Sequence, residues 1–264
     1  MPKSFRKDRM KLAKSYALYY GHGRGNELAL FDIAIIDSKG HTTEDINKLK
    51  VKNTLVITYL SIFEVSPNEA IFKELSEEDF WLIDGERVQN EAYGTYLVSL
   101  KSKKWLNYLL IEVKRQLVVF ESDGIFLDTI GDIENDGLPY NLRQQQLKGV
   151  VNFLYALKIL YPNHLFIQNN GLEEVCLHTA MYIDGICWEN PPLNLNESYE
   201  WVEVITNRLL KFKLDFDIQI LLLLEESIEK ERNSYEKAKK LARKQEFLLY
   251  NAPGKYVDGI NLAK

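Results

Sequence analysis

The sequence predicts a single-domain (β/α)8 TIM barrel over residues 1–264, and three observations carry that reading. Short apolar runs alternate with helical patterns from end to end, the rhythm of a parallel sheet with right-handed crossovers. The runs are apolar nearly throughout, as strands covered on both faces are, and do not alternate with polar residues. No Pro/Gly/Ser linker or low-complexity segment divides the chain, and 264 residues is an ordinary length for one such barrel.

In chain order the strands are expected at 15–20 (SYALYY), 31–37 (FDIAIID), 54–61 (TLVITYLS), 95–100 (TYLVSL), 124–128 (GIFLD), 164–169 (HLFIQN), 185–189 (GICWE) and 218–224 (IQILLLL). Helical patterns lie between them, at roughly 43–50, 101–120, 142–161, 171–180, 198–213 and 226–244. EFLLY at 246–250 makes a ninth strand candidate. Either it is an extra strand beside the first, or TYLVSL is not a stave; an open doubly wound sheet would also hold nine. Residues 62–94, with Trp81 and the IDGE turn at 83–86, form a long excursion of the kind barrel enzymes use to build their sites. The last helix is acidic in its first half and basic in its second, matching the helix dipole, and reads as a solvated outer helix.

Composition narrows the function classes. Hydrophobic residues make up 46%, enough for a sizeable core, and a mean hydropathy of −0.25 fits a soluble protein. A net charge of −5 carries no basic footprint for nucleic acid, and the IQILLLL stretch is strand-sized, far below a membrane span. The segment MPKSFRKDRMKLAK has the charge of a leader's first part without the apolar stretch that should follow. A cytoplasmic location is therefore expected, or a secreted one if a leader has been removed. Cys176 and Cys187 form neither a metal nor a disulfide pattern, and Cys187 reads as a small buried hydrophobe. GHGRG at 21–25 matches neither a dinucleotide loop nor a P-loop and reads as a flexible loop. Asp132, Glu134, Asp136 and Gly137 imitate the start of a calcium loop, but the twelfth position is Arg143. His22, His41, His164 and His178 lack the HxxxH or HExxH spacing of a zinc helix. No metal or cofactor is expected, and the oligomeric state is open.

Two runs carry the chemistry. DGIFLD at 123–128 and DGICWE at 184–189 each open on Asp-Gly, read as turn chemistry, and close on a carboxylate. An ionised carboxylate in apolar surroundings costs several kcal/mol unless paired or solvated, so Asp128 and Glu189 are expected at one solvent-filled mouth. In a parallel barrel the strand C-termini share one face, which would gather Asp37, Ser61, Asp128, Asn169, Glu189 and Glu225. On this count Asp128 closes strand five and Glu189 strand seven. Strands two apart are about 9–10 Å apart at the backbone. Inward-leaning carboxyls then come to roughly 5 Å or stay near 6.5–9.5 Å, the retaining and inverting windows of glycosidases. The structural alternatives are an N-cap at Asp128 or Thr129 and a buried ion pair at Glu189, which Pro191 and Pro192 prevent from capping a helix.

The order of YYG (19–21), FDIAIID (31–37), ITYLSIFE (57–64), DGIFLDT (123–129), FIQNNGLE (166–173) and DGICWE (184–189) resembles the endo-α-1,4-polygalactosaminidase barrels of glycoside hydrolase family 114. The resemblance spans nearly the whole chain. It implies a (β/α)8 hydrolase acting within galactosamine-containing polysaccharide, with one Asp and one Glu at strand ends as its acids. Here those are Asp128, expected as nucleophile, and Glu189, expected as general acid/base, with the two labels exchangeable. The sequence departs from the family at Phe63, where Gly is usual, and at Gly131, where a second acid often stands; Asp132 follows one place later. Tyr19, Tyr20, Tyr59 and Trp188 would offer ring faces to sugars. Asp37 would meet hydroxyls or an ammonium group, and Gln168, Asn169 and Asn170 would offer amides. Ser61 and Glu64 complete the expected substrate-binding set. The expected partner is a polysaccharide or oligosaccharide, with no nucleic acid and no membrane. The competing reading is a catalytically silent barrel that binds carbohydrate or cell-wall polymer. An aldolase or isomerase is disfavoured because no Lys ends a strand and no glycine-rich phosphate loop follows the last strands.

Overall fold

A computed structural model of the chain describes residues 3–194, 199–225 and 232–262. Eight parallel strands follow one another in chain order around a nearly closed barrel: β1 Tyr16–Tyr19, β2 Ile33–Ile36, β3 Leu55–Ser61, β4 Gly124–Asp128, β5 Leu165–Asn169, β6 Gly185–Glu189, β7 Gln219–Glu225 and β8 Leu248–Ala252. The helices are α1 Lys3–Leu12, α2 Thr43–Val51, α3 Lys103–Lys114, α4 Tyr140–Leu160, α5 Val175–Thr179, α6 Tyr199–Phe216 and α7 Arg232–Gln245. Residues 198 and 226–231 of the expected helices lie outside the described residues. Among the described residues no helix is long and apolar enough to cross a membrane.

The strand count resolves against TYLVSL. Thr95–Leu97 pairs antiparallel with Glu64–Val65 and Gln89–Asn90 in a small separate sheet. A parallel return would need a crossover, usually helical, and residues 62–94 fold instead into 3₁₀ turns and a hairpin at 82–87. The eighth stave is the 248–252 segment, paired to β7. Asp128 therefore ends the fourth stave and Glu189 the sixth, still with one strand between them. Hydrogen bonding stops between β8 and β1. Side chains cover that seam: the Tyr16 ring lies 5.7 Å from Tyr250, and the Tyr16 hydroxyl donates to the Leu222 carbonyl at 2.6 Å.

Strand periodicity decides which side chains face inward. Phe126, Ile167, Cys187, Leu221 and Leu223 join Leu18, Ile35 and Ile57 in one buried cluster. Their neighbours Ile125, Leu127, Phe166, Ile186, Ile220 and Leu222 pack in another with Leu109, Leu154 and Leu209 of the helices. Asp128, Asn169 and Glu189 continue the first set, two residues beyond Phe126, Ile167 and Cys187.

The opposite end of the barrel is closed by α1, which the charge-rich sequence had suggested only as leader-like. Arg6, Met10 and Ala13, at i, i+4 and i+7, are buried there. The two Asp-Gly openings do more than turn the chain. Asp123 is wholly buried, accepts the Val56 amide at 3.1 Å and pairs with Arg6 Nε at 2.9 Å. Asp184 accepts the Phe166 amide at 3.1 Å and pairs with Lys158 Nζ at 2.8 Å. Each aspartate thus latches the start of a neighbouring strand. A side chain on Gly124 would stand 2.3 Å from the Leu165 carbonyl oxygen, so close backbone packing requires glycine there, whereas one on Gly185 would meet only the movable Met10 Cε at 2.6 Å.

Removing one partner of a buried ion pair leaves the other charge without compensation. Asp123→Ala is expected to lower unfolding stability by about 3–5 kcal/mol in chemical denaturation. A loss below about 1 kcal/mol would show that the latch is not structural.

Candidate active site

Three consecutive strands end alike. The residue after Asp128, Asn169 and Glu189 is in each case left-handed: Thr129 at φ 64°, Asn170 at 51° and Asn190 at 46°. This conformation suits Asn and is unfavourable for a β-branched Thr. It turns the backbone out of the sheet at once and leaves the preceding side chain standing at the mouth. The same three residues hold the break in place. The Thr129 hydroxyl accepts the amides of Ile62 at 3.1 Å and Phe63 at 2.8 Å. Asn170 Oδ1 accepts the Glu189 amide at 3.0 Å, and Asn190 Oδ1 accepts the Glu225 amide at 2.8 Å. Thr129 is therefore no helix cap; it ties the end of β4 to the chain leaving β3.

At the centre, Asn169 Nδ2 donates to Asp128 Oδ1 at 2.7 Å and to Glu189 Oε2 at 2.6 Å. The sum of those two bonds, 2.7 and 2.6 Å, caps the separation of the two carboxylate oxygens at about 5.3 Å. The Tyr59 hydroxyl and the Thr129 amide also stand beside Asp128 as donors that favour its ionised form. Glu189 Oε1 receives one from the Tyr256 hydroxyl. Burial pushes the Asp128 carboxyl above the usual range against these three donors. Burial and then the charge of Asp128 push Glu189 up, against Tyr256 and Asn169.

The pair lies in a cleft of about 740 Å³. Of the expected residues, Tyr20, Asp37, Tyr59, Glu64, Asn170 and Trp188 line it beside Asp128, Asn169 and Glu189. Tyr19, Ser61 and Gln168 do not. Tyr19 is buried with its hydroxyl donating to the His22 carbonyl at 3.3 Å. Ser61 Oγ donates to the Glu64 carbonyl at 2.8 Å and shapes the loop. Gln168 faces the helices, accepting from the Thr179 hydroxyl at 2.6 Å and donating to the Asn170 carbonyl at 2.7 Å. Trp188 reaches the cleft from the helix-facing side, edge-on to Trp201 at 5.9 Å.

The two departures from the family pattern have structural explanations. Phe63 is fully buried against Trp81 at 5.1 Å and belongs to the core beneath the excursion. A side chain on Gly131 would stand 3.0 Å from Asn170 Cβ and 3.2 Å from the Gly171 nitrogen, a tight fit against the Asn170 turn, and the neighbouring acid is Asp132. Asp132 lines the cleft beside Glu64, which is anchored by Asn90 Nδ2 at 2.7 Å and the Thr95 hydroxyl at 2.6 Å. Burial, with Glu64 and Asp128 nearby, pushes Asp132 up to about 9. Asn90, Tyr93, Thr95, Trp201, Lys255 and Tyr256 also line the cleft and carried no strand-end signal. Among the described residues, no three His, Cys, Asp or Glu side chains gather as metal ligands would.

Asp132 keeps its proton in the folded protein and loses it in the unfolded chain between its ordinary value of 3.8 and about 9, so this group favours folding less as pH rises through that window. Asp132→Asn cannot ionise. Thermal unfolding is expected to show the variant gaining on the parent between pH 5 and pH 9; parallel curves would mean that Asp132 is ionised at neutral pH.

The model of glycoside-hydrolase family GH114 matches residues 6–191. None of the curated proteins compared matches the chain. Among solved structures, the glycoside hydrolase domain of PelA from Pseudomonas aeruginosa is 18% identical, with 94% of this chain and 97% of that one covered and a TM-score of 0.75. Ega3 from Aspergillus fumigatus, solved in complex with galactosamine, is 12% identical over 94% and 93%, with a TM-score of 0.69. The α-galactosidase TtGalA from Thermus thermophilus is 12% identical over 97% and 56%, with a TM-score of 0.58. A family match over well more than half of the residues, on a (β/α)8 barrel, places the chain in glycoside-hydrolase family GH114, and it is a glycosidase.

Proposed function

We propose that the chain, as one barrel domain, cleaves O-glycosidic bonds within a galactosamine-containing polysaccharide by a retaining mechanism. The observation that carries this reading is the single amide shared by Asp128 and Glu189. It holds two carboxyls within the separation of about 5–5.5 Å that retaining glycosidases use, too close for an intervening attacking water. Asp128, with three donors favouring its ionised form, is the nucleophile on the anomeric carbon. Its charge keeps the proton on Glu189, which passes it to the leaving oxygen and then takes one from the water that frees the sugar.

The substrate class is supported by the family and by the lining. Asp37, Glu64, Asp128 and Glu134 line the cleft against Lys255 as the one cation among its described lining residues, while Asp132 and Glu189, which hold protons, add no charge. Such a surface attracts protonated amino sugars. Ega3, on the same fold, was solved with galactosamine. Tyr20, Tyr59, Trp188 and Trp201 supply aromatic surface for the rings.

Asp128→Asn and Glu189→Gln are each expected to fold as the parent does and to lose at least ~10³-fold in reducing-end release from deacetylated galactosamine polymer. Near-parental turnover in both variants, or binding of the polymer by the parent with no new ends, would overturn the assignment. Fully N-acetylated polymer, which lacks the ammonium groups, is expected to be turned over at least ~10-fold less efficiently at low salt, with the gap narrowing as salt screens the cleft. Equal kcat/KM on both polymers at low salt would remove the electrostatic basis for the substrate.

A further inference from the structure

We propose that Tyr256 is a positioning residue for Glu189, holding the acid/base carboxyl in place through its hydroxyl from the segment that follows β8 at the barrel seam. The proposal rests on the glycosidase reading of Glu189. Tyr256 lies outside residues 6–191, which the family model matches, and outside every barrel strand.

The geometry is built from three strands. After β8 the chain turns at Pro253, and both Lys255 and Tyr256 take a φ of 57°, a left-handed conformation costly for residues with side chains. Glu225, at the end of β7, accepts the Lys255 amide at 2.6 Å. The Tyr256 amide donates to the Pro253 carbonyl at 3.2 Å, and its own carbonyl accepts the Tyr20 amide, just past β1, at 2.8 Å. Fixed on both sides, the buried ring packs edge-on to Tyr20 at 5.8 Å and directs its hydroxyl to Glu189 Oε1. Asn169 holds the other oxygen. Both oxygens of Glu189 are thus held, one by a neighbouring strand and one by the segment that closes the barrel.

The contact also bears on the proton. Asn169 Nδ2 only donates, whereas a tyrosine hydroxyl donates to a carboxylate and accepts from a carboxylic acid, so Tyr256 serves both steps of the reaction. The other titratable groups facing Glu189 are Asp128 at the end of β4, Glu225 at the end of β7, Tyr16 and Tyr20 from β1, Cys187 within β6, and Tyr93 from the excursion. Burial raises Tyr16, Tyr20 and Cys187 well above their ordinary values, and Tyr93 is raised as well, which leaves the charges of Asp128 and Glu225, both raising Glu189. Tyr256 and Asn169 are the hydrogen bonds that oppose that rise.

Tyr256→Phe keeps the ring and the seam packing and removes only the O–H. Glu189 is to be titrated by carbon-13 NMR of its carboxyl, and kcat and KM on deacetylated galactosamine polymer followed across pH. The expected result is a Glu189 titration about one pH unit higher, a basic limb of kcat moved up by the same amount, kcat down about tenfold and KM within about threefold. Site-specific replacement of Tyr256 by a difluorotyrosine, a stronger donor, is expected to move the titration the other way. An unmoved titration in a folded Phe variant overturns the proposal, even if kcat falls, because a merely structural tyrosine would behave so. A parent inactive on the polymer, with the titration still shifted by Tyr256→Phe, would overturn the glycosidase reading and support the hold of Tyr256 on Glu189.

Discussion

The site depends on the chain leaving the sheet abruptly at the same level on three adjacent strands. Thr129, Asn170 and Asn190, all left-handed, impose that break after β4, β5 and β6. Because the backbone turns away there, Asp128, Asn169 and Glu189 are the last side chains on the inward face and meet no layer above them. Strain of this kind persists where surrounding bonds over-determine it, and here the side chains of the strained residues accept amides from neighbouring segments. The consequence is electrostatic. Two ions within about 5 Å at an effective dielectric of about 20 repel by about 3 kcal/mol, some two pH units. Repulsion thus adds to burial in disfavouring ionisation of both acids together, and the amide between them suits the state with one proton on the pair.

Much of this was legible from residue types, and more would have been from strand parity. The pair Asp128 and Glu189 stands out because charge ends an apolar run, and the break after Glu189 is foreshadowed by two prolines. Parity separates what chemistry alone grouped together. Tyr20 and Tyr19 are adjacent tyrosines at one strand end, as Asn169 and Gln168 are adjacent amides, yet Tyr20 and Asn169 line the cleft and Tyr19 and Gln168 do not. Since Phe126, Ile167 and Cys187 face inward, counting by two along each run assigns Asn169 to the mouth and Gln168 to the helices. Asn170 was read as either an amide ligand or a turn residue; it makes the turn, and its side chain takes the Glu189 amide while lining the cleft.

Other features have no local signature. Thr95–Leu97 is as apolar as a stave, and only the missing crossover before it rules it out. The close approach of Gly131 to the Asn170 turn, which leaves little room for a side chain, is between segments about forty residues apart. The Asp-Gly openings looked like turn chemistry because their partners, Arg6 and Lys158, are supplied from helices at quite different sequence distances. Tyr256 follows a Pro-Gly turn that by itself signals only a reversal, and its role comes from where the barrel closes.

That closure has a mechanical consequence for the enzyme. Seven strand-to-strand ladders are hydrogen-bonded and the eighth boundary, between β8 and β1, is not. Aromatic side chains and single polar contacts bridge it: Tyr16 with Tyr250 inside the barrel, and Tyr20 with Tyr256 at the mouth. The lower contact adds the Tyr16 hydroxyl's bond to the Leu222 carbonyl, while the upper one includes two cleft residues, one of them bonded to Glu189. At the opposite end the latches of Asp123 and Asp184 sit a strand's length from Asp128 and Glu189, where a loss of stability need not alter the site. Stability and catalysis are separable at the floor of this barrel and joined at its seam, because the weakest boundary of the sheet is the one that carries Tyr256.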